Sequence, residues 1–248
     1  MGEVEDQIAV LAGVEARQAL AYNSGMAATV GAIDVALYES GVEAPVVAFA
    51  TELYTQSQRY IAKYLRQRGV KAYPFDSGDP AAVERTLQLR QPNVVVSETV
   101  SNYLNVPVLD NTLPLSTGLP IGEQIDEVDK VIVVESGTKS YSFNEELLGV
   151  VYTKHPGLLN ALRRHRRVTG AVVGTASLER ILALLPESRE TFDERNRQLF
   201  QNTGALAIAL YTAIERQKEE NNREGIEQDL DITISHPALP SHDNHELY

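Results

Sequence analysis

The sequence predicts an α/β protein with three layers, in which a mainly parallel β-sheet lies between two layers of helices. Short runs of apolar, β-forming residues alternate with amphipathic segments of helical length. This alternation is typical of parallel sheets whose crossover helices cover both faces. A chain of 248 residues, of which 43% are hydrophobic, is long and apolar enough to build such a core.

The first hundred residues show this alternation most clearly. Ser24 is a typical N-cap, Asp79-Pro80 is a typical helix start, and Gly69 ends a helical pattern. Four helices and four strands are predicted from these signals and from the apolar spacing. In chain order they are helix 4–15, strand 18–22, a helix after Ser24, strand 44–50, helix 55–68, strand 70–75, helix 80–90 and strand 94–98.

The second half of the chain continues with strands and longer helices. The residues from Val106 to Leu109 have strand character, although Pro107 argues against a central strand because proline cannot donate to the ladder. A buried strand is predicted over 131–134. The remaining predicted elements are a strand ending at Tyr152, helix 156–167, helical stretches 176–185 and 191–217, and a last strand over 231–235.

One lysine stands at a position where chemistry is expected. The apolar run over 131–134 is followed by small polar residues and then by Lys139. A lysine held at the end of a buried strand loses part of its hydration, which frees its amine to attack a carbonyl. The hydroxyls of Ser136 and Thr138 are placed where they can hold a phosphate. Ser-x-Thr-Lys after such a strand suggests a Schiff-base lysine for pyridoxal phosphate (PLP); the alternative is a surface lysine at a strand end.

Several polar residues follow predicted strands, where ligands of parallel sheets bind. Gly25, Tyr54, Glu98 and Lys139 all fall at carboxyl ends of strands, and these ends share one edge of the sheet. The helix that begins after Ser24 has free N–H groups and the positive end of its dipole at this edge, which favours an anion. This shared edge is the predicted site.

The charge and the cysteine content exclude several kinds of site. The net charge is −12, which disfavours a partner such as nucleic acid. The only basic cluster is residues 163–167, interpreted as a solvated or subunit-contact face. The chain has no cysteine, so neither disulfides nor thiolate metal sites can form. It has no membrane-length apolar run, and a soluble intracellular protein without a membrane partner is expected.

Five motifs occur in an order that resembles a known family, the Cys/Met-metabolism PLP enzymes, which include cystathionine γ-synthase, cystathionine γ-lyase and methionine γ-lyase. The motifs are Ser24-Gly-Met-Ala-Ala28, Leu53-Tyr54, Glu98-Thr-Val-Ser-Asn102, Asp110-Asn-Thr112 and Ser136-Gly-Thr-Lys139. The resemblance implies the large domain of PLP-dependent transferase fold type I over residues 1–205. It implies a linking helix and the start of a small α+β domain over 206–248.

The resemblance also implies a reaction. A PLP enzyme of this family would act by elimination or replacement at the β or γ carbon of a sulfur-containing or O-acylated amino acid, as a lyase or transferase of trans-sulfuration in the cytoplasm. Lys139 would carry PLP as a Schiff base and then move protons between substrate carbons. Asp110 would pair with the pyridine nitrogen, and Tyr54 would stack on the ring and serve as an acid or base. Alternatively, Tyr54 is a core aromatic and Asp110 belongs to a plain turn.

The remaining cofactor contacts are implied in the same way. The N–H groups of Gly25 and Met26, with the hydroxyls of Ser136 and Thr138, would hold the phosphate. Asn102 would lie near the ring hydroxyl, or is otherwise an ordinary loop residue. Family members build this site between two subunits, so a homodimer or homotetramer is implied.

The sequence departs from the family pattern in four places. Compared with the family, the chain begins after an N-terminal segment that serves the neighbouring subunit and ends near the first strand of the small domain. Only residues 99–109 separate Glu98 from Asp110, which suggests an internal deletion, a displaced Asp110 and an exposed apolar patch. Residues 143–146 replace a Gly-His-Ser-Asp stretch.

A truncated, catalytically impaired relative that serves as a binding or structural subunit is therefore the second hypothesis. A Rossmann-type nucleotide binder ranks last, since the first turn lacks Gly-x-Gly-x-x-Gly.

Overall fold

A computed structural model of the chain describes residues 1–98, 106–111, 130–224 and 239. These residues form seven strands, which are β1 (Ala19–Tyr22), β2 (Val46–Ala50), β3 (Lys71–Phe75), β4 (Val94–Glu98), β5 (Val106–Asp110), β6 (Ile132–Glu135) and β7 (Gly149–Tyr152). Their α-helices are α1 (Gly2–Leu11), α2 (Gly25–Glu39), α3 (Thr55–Arg59), α4 (Pro80–Arg90), α5 (Gly137–Ser140), α6 (Pro156–Thr169), α7 (Thr175–Leu184) and α8 (Arg189–Glu224). The chain divides into two compact units, Met1–Phe192 and Asp193–Tyr248.

The seven strands form one sheet in the order β1-β7-β6-β5-β4-β2-β3. The five strands from β6 to β3 are parallel to one another, whereas β7 runs antiparallel to both of its neighbours. The predicted α/β fold with a mainly parallel sheet is confirmed. In the register of β4 and β5, Glu98 lies opposite Asp110, so the two carboxylates meet at one edge.

Helices cover both faces of this sheet, because its strands bury side chains on both sides. Ile132 and Val134 of β6 belong to one hydrophobic core, which contains residues of α2 and α6. Val133 of the same strand belongs to a second core, which contains residues of α1 and α7. Since neighbouring side chains of a strand point to opposite faces, this division is what a three-layer arrangement requires.

The predicted helix start signals act as expected. The side chain of Ser24 accepts a hydrogen bond from the N–H of Ala27 at the start of α2, at 3.1 Å. The side chain of Asp79 accepts one from Ala81 at the start of α4, with Pro80 just inside the helix. Each cap satisfies one of the backbone donors that the first turn leaves without a partner.

The structure corrects the interpretation of residues 106–110. Pro107 lies in β5, between β4 and β6, although its presence argued against a central strand. A proline lacks only one backbone N–H donor, so the other backbone groups of β5 can still pair with β4 and β6. A central strand can therefore contain Pro107. Asp110 is therefore not displaced, since it ends β5 in register with Glu98 and Val134. The connection over 99–105 lies outside the described residues.

The helix predicted over 55–68 and the interpretation of the basic cluster 163–167 also need correction. The single helix predicted over 55–68 changes after Arg59 into a π-helix over Tyr60–Leu65, where Ile61 and Leu65 are fully buried. Apolar spacing does not distinguish a π-helical segment from an α-helical one, and in this segment the Tyr60 hydroxyl also donates a hydrogen bond to Asp34. The basic cluster is not wholly solvated, because Arg166 is buried and bonds Glu5 and the carbonyl of Ala21.

The second unit contains most of α8, which is longer than the predicted 191–217 stretch. The strand predicted over 231–235 lies outside the described residues. No helix in the described part of the chain combines the length and the apolar character needed to cross a membrane.

Candidate functional site

A cavity of about 590 Å³ opens at the carboxyl edge of the sheet in the first unit. It receives side chains from the start of α2, from the turn after β2, from the ends of β4 and β5, and from the segment after β6. The residues that line it are Ser24, Gly25, Met26, Thr29, Glu52, Leu53, Tyr54, Thr55, Glu98, Asp110, Ser136, Thr138, Lys139, Asn144 and Leu147. The structure thus brings together every predicted site residue except Asn102, which lies outside the described residues.

Lys139 lies in α5, the short helix that follows β6, and reaches the cavity. Its N–H bonds the carbonyl of Ser136 at 3.1 Å, which closes a tight turn directly after the strand. The residue is exposed, so the loss of hydration expected after a buried strand is not seen. Its amine is therefore open to a ligand in the cavity, and its positive charge acts on the carboxylate of Glu98.

The N-terminus of α2 lines one end of the cavity, where its backbone N–H groups suit an anion. Within the described residues, the N–H groups of Gly25 and Met26 have no hydrogen-bond partner, because helix geometry gives the first turn no internal acceptor. A Cβ placed on Gly25 would lie 3.2 Å from both Cβ and Oγ of Ser136. A side chain at this position would push Ser136 away by a few tenths of an ångström, so glycine lets the α2 backbone and the serine line one small pocket.

The hydroxyl of Thr138 is held differently from that of Ser136. It accepts a hydrogen bond from the N–H of Leu148 at 2.8 Å and donates to the Leu148 carbonyl at 3.2 Å. These two bonds tie α5 to the segment that enters β7. A phosphate would have to compete with the Leu148 carbonyl for the only hydroxyl proton of Thr138.

Glu98 and Asp110 form an acidic pair at the ends of adjacent parallel strands. Burial raises the pKa of Glu98, and the charge of Asp110 raises it further, whereas the N–H of Tyr54 and the charge of Lys139 oppose this rise. The carboxylate of Glu98 accepts the backbone N–H of Tyr54 at 2.6 Å. Glu98 therefore fixes the start of α3, from which the Tyr54 side chain, 56% exposed, borders the cavity.

The loop after Lys139 has an uncommon backbone conformation. Phe143 and Asn144 both have positive φ, at 54° and 65°, which is uncommon for residues other than glycine. The N–H of Asn144 bonds the carbonyl of Thr138 at 2.7 Å, and the hydroxyl of Ser142 donates to the carbonyl of Glu146 at 2.5 Å. These bonds hold a strained turn against α5 and bring Asn144 to the cavity.

Sequence reasoning missed two carboxylates near the site. Glu52 accepts hydrogen bonds from the hydroxyls of Thr51 and Ser77; although burial raises the pKa of Glu52, these bonds and the backbone bonds lower it below its usual range. Glu135, at the end of β6, is completely buried. The sequence did contain a signal for Glu135, which is an acidic residue directly after four apolar β-formers. Charged residues are rarely buried without partners, so such a position indicates a carboxylate with hydrogen-bond donors around it.

The residues of the cavity fit PLP by the chemistry of their groups. A phosphate suits the free N–H groups at the start of α2, where a Cβ on Gly25 would fill the cradle. A pyridine nitrogen suits the carboxylate of Asp110, and an aldehyde suits the exposed amine of Lys139. The exposed ring of Tyr54 offers a planar surface beside them.

Comparison with known proteins agrees with this fit. The model of the Cys/Met metabolism PLP-dependent enzyme family matches residues 2–112. The matched segment contains Gly25, Met26, Tyr54 and Asp110, and it ends before Lys139. No curated protein matches the chain. Over residues 2–112, the chain is therefore similar to the Cys/Met metabolism PLP-dependent enzymes.

Proposed function

We propose that the protein binds PLP through Lys139 and catalyses elimination or replacement at the β or γ carbon of a sulfur-containing or O-acylated amino acid. The observation that carries the proposal is the meeting of the Lys139 amine, the Asp110 carboxylate and the N-terminus of α2 in one cavity. The family match over residues 2–112 supports the cofactor and the link to cysteine and methionine metabolism.

Each residue has a role that its environment supports. When bound, PLP supplies an electron sink for the negative charge that forms on the substrate carbon. Asp110 keeps the pyridine nitrogen protonated. Gly25 and Met26 bind the phosphate through their N–H groups, with Ser136 beside them. Lys139 provides the amine for attachment and then moves protons between substrate carbons, which its exposed position in the cavity permits.

In this proposal Tyr54 would border the bound cofactor and would serve as an acid or base near the leaving group. Its position supports the role, because Glu98 holds its backbone N–H while the side chain stays exposed at the cavity. The role of Asn102 near the ring hydroxyl is proposed on the family resemblance alone.

A second function is proposed because one observation favours it. Among the described residues that line the cavity, Lys139 is the only cation, and an amino-acid substrate also has a carboxylate to be bound. The alternative is a catalytically impaired member of the family that serves as a binding or structural subunit. In either case we propose residues 1–205 as the cofactor domain and 206–248 as the start of a second domain, in a cytoplasmic homodimer or homotetramer.

The two functions differ in product release. Protein supplied with PLP is incubated with L-methionine, L-cysteine, L-cystathionine or an O-acyl-L-homoserine, and the 2-oxo acid formed is measured. We expect 2-oxobutanoate or pyruvate from at least one of them, since elimination at the γ or β carbon gives these acids after loss of ammonia. A protein that binds PLP but releases no 2-oxo acid and forms no replacement product with an added thiol would support the binding or structural subunit instead.

A further inference from the structure

The carboxylate of Glu135 lies on the face of the sheet opposite to α2, one residue before Ser136 of the cavity lining. Its neighbours on that face belong to the second hydrophobic core, which contains Tyr141, Tyr152 and Phe192. Glu135 is completely buried, and three donors reach it: the Asn111 amide at 2.9 Å and the hydroxyls of Tyr141 and Tyr152, each at 2.8 Å. Burial raises the pKa of Glu135, while these three donors oppose the rise.

Two of these donors stand next to predicted cofactor residues in the chain. Asn111 directly follows Asp110, and its own N–H bonds the carbonyl of Val134 at 2.8 Å. Tyr141 comes two residues after Lys139, and its ring stacks on Phe192 with centroids 5.3 Å apart. Glu135 itself directly precedes Ser136. One buried carboxylate thus joins the three segments that present the pyridine-binding, phosphate-binding and amine groups.

Stability alone is a weak reason for this cluster. A buried carboxylate contributes little net stability, and well-packed apolar residues of similar volume often replace such groups without loss. The cluster also leaves Asn111 Oδ1 buried without a hydrogen-bond partner among the described residues, which adds to its cost. Polar groups that cost stability and border a site are typical of positioning networks.

We propose that Glu135 is a positioning residue that holds Asp110 and Lys139 at a fixed distance from each other, by accepting hydrogen bonds from Asn111 and Tyr141. The proposal rests on the proposed PLP function. The two connections are separable, since pyridoxine 5′-phosphate has the ring and phosphate of PLP but no aldehyde. The affinity for pyridoxine 5′-phosphate therefore reports the contacts made by Asp110 and the phosphate site. The ratio of the affinity for PLP to the affinity for pyridoxine 5′-phosphate reports the bond to Lys139.

The experiment measures both affinities by calorimetry for wild-type protein and for Glu135→Leu and Glu135→Gln. Glu135→Leu removes all three acceptor contacts, and we expect both ligands to bind at least about tenfold more weakly. Glu135→Gln keeps the shape and an acceptor oxygen, and we expect it to restore affinity to within about threefold of wild type. Equal affinities in wild type and in a folded Glu135→Leu variant would overturn the proposal.

A matched pair of tyrosine variants keeps the proposal testable if Glu135→Leu does not fold. Tyr141→Phe and Tyr152→Phe each remove one buried hydroxyl that donates to Glu135 at 2.8 Å. Only Tyr141 belongs to the segment of Lys139. We expect Tyr141→Phe to lower the ratio of the two affinities about five- to tenfold and Tyr152→Phe to leave it unchanged.

Equal ratios in both tyrosine variants would mean that the cluster only stabilises the fold, and the positioning role would be wrong. Wild-type protein that binds neither ligand would instead contradict the proposed function itself, and the inference would fail with it. Wild-type binding with unchanged variants would contradict the positioning role alone.

Discussion

Replacing Lys139 with alanine is expected to abolish covalent attachment of PLP and to slow turnover by at least about 10²–10⁴-fold, the usual contribution of a positioned proton-transfer group. The physical reason is that, in the proposed function, Lys139 supplies both the amine for the aldehyde and the base for the substrate carbon. It is the only cation among the described cavity residues, so no other described side chain replaces it there. The fold should be unaffected, because the side chain is exposed.

The loss is measured as the visible absorbance band of protein supplied with PLP and as the rate of 2-oxo acid release. Lys71→Ala is a suitable control, since Lys71 is an exposed lysine on β3, away from the cavity lining. The control should keep the band and the rate. A Lys139→Ala variant with the band and rate of wild type would show that another lysine carries the cofactor.

Replacing Gly149 with alanine is expected to cost about 1–3 kcal/mol of unfolding free energy, or more, and to weaken PLP binding at least about tenfold. An added Cβ would lie 2.0 Å from the carbonyl oxygen of Ser24 and 2.5 Å from its carbonyl carbon. Both are backbone atoms, so a side-chain rotation cannot relieve the clash. The N-terminus of α2 must move away from β7, and the N–H groups of Gly25 and Met26 would move with it.

Two controls separate this effect from other causes. Gly2→Ala adds a Cβ with nothing within 4 Å and should leave the stability nearly unchanged. Val47→Ala opens space around a fully buried side chain of β2 and should lower stability without weakening PLP binding. Urea unfolding and PLP titration measure both quantities. If Gly149→Ala weakens binding no more than Val47→Ala at equal loss of stability, the proposed phosphate site at α2 is wrong.

The predictions that succeeded rest on local signals. The alternation of strands and helices needs only the apolar pattern, and the starts of α2 and α4 need only Ser24 and Asp79-Pro80. The convergence of Gly25, Tyr54, Glu98 and Lys139 follows from topology, because carboxyl ends of parallel strands share one edge. Side-chain contacts were not required for any of these inferences.

The predictions that failed concern features set by distant contacts. Pro107 lies within the sheet because strands on both sides of β5 hold it, which propensity cannot express. Arg166 is buried because it forms an ion pair with Glu5, which is far away in sequence. The role of Glu135 depends on three donors from three separate segments, and the sequence shows only an acidic residue after an apolar run. Long-range pairing of polar groups is therefore what the sequence could not reveal.

The most direct test of the central claim is to locate the covalent bond to PLP. Protein supplied with PLP is reduced with borohydride, which makes the bond between the aldehyde and a lysine amine permanent, and is then digested and mapped by mass spectrometry. The account predicts one modified peptide, with the adduct on Lys139. An adduct on another lysine, or no adduct in protein that is folded by circular dichroism, would contradict it.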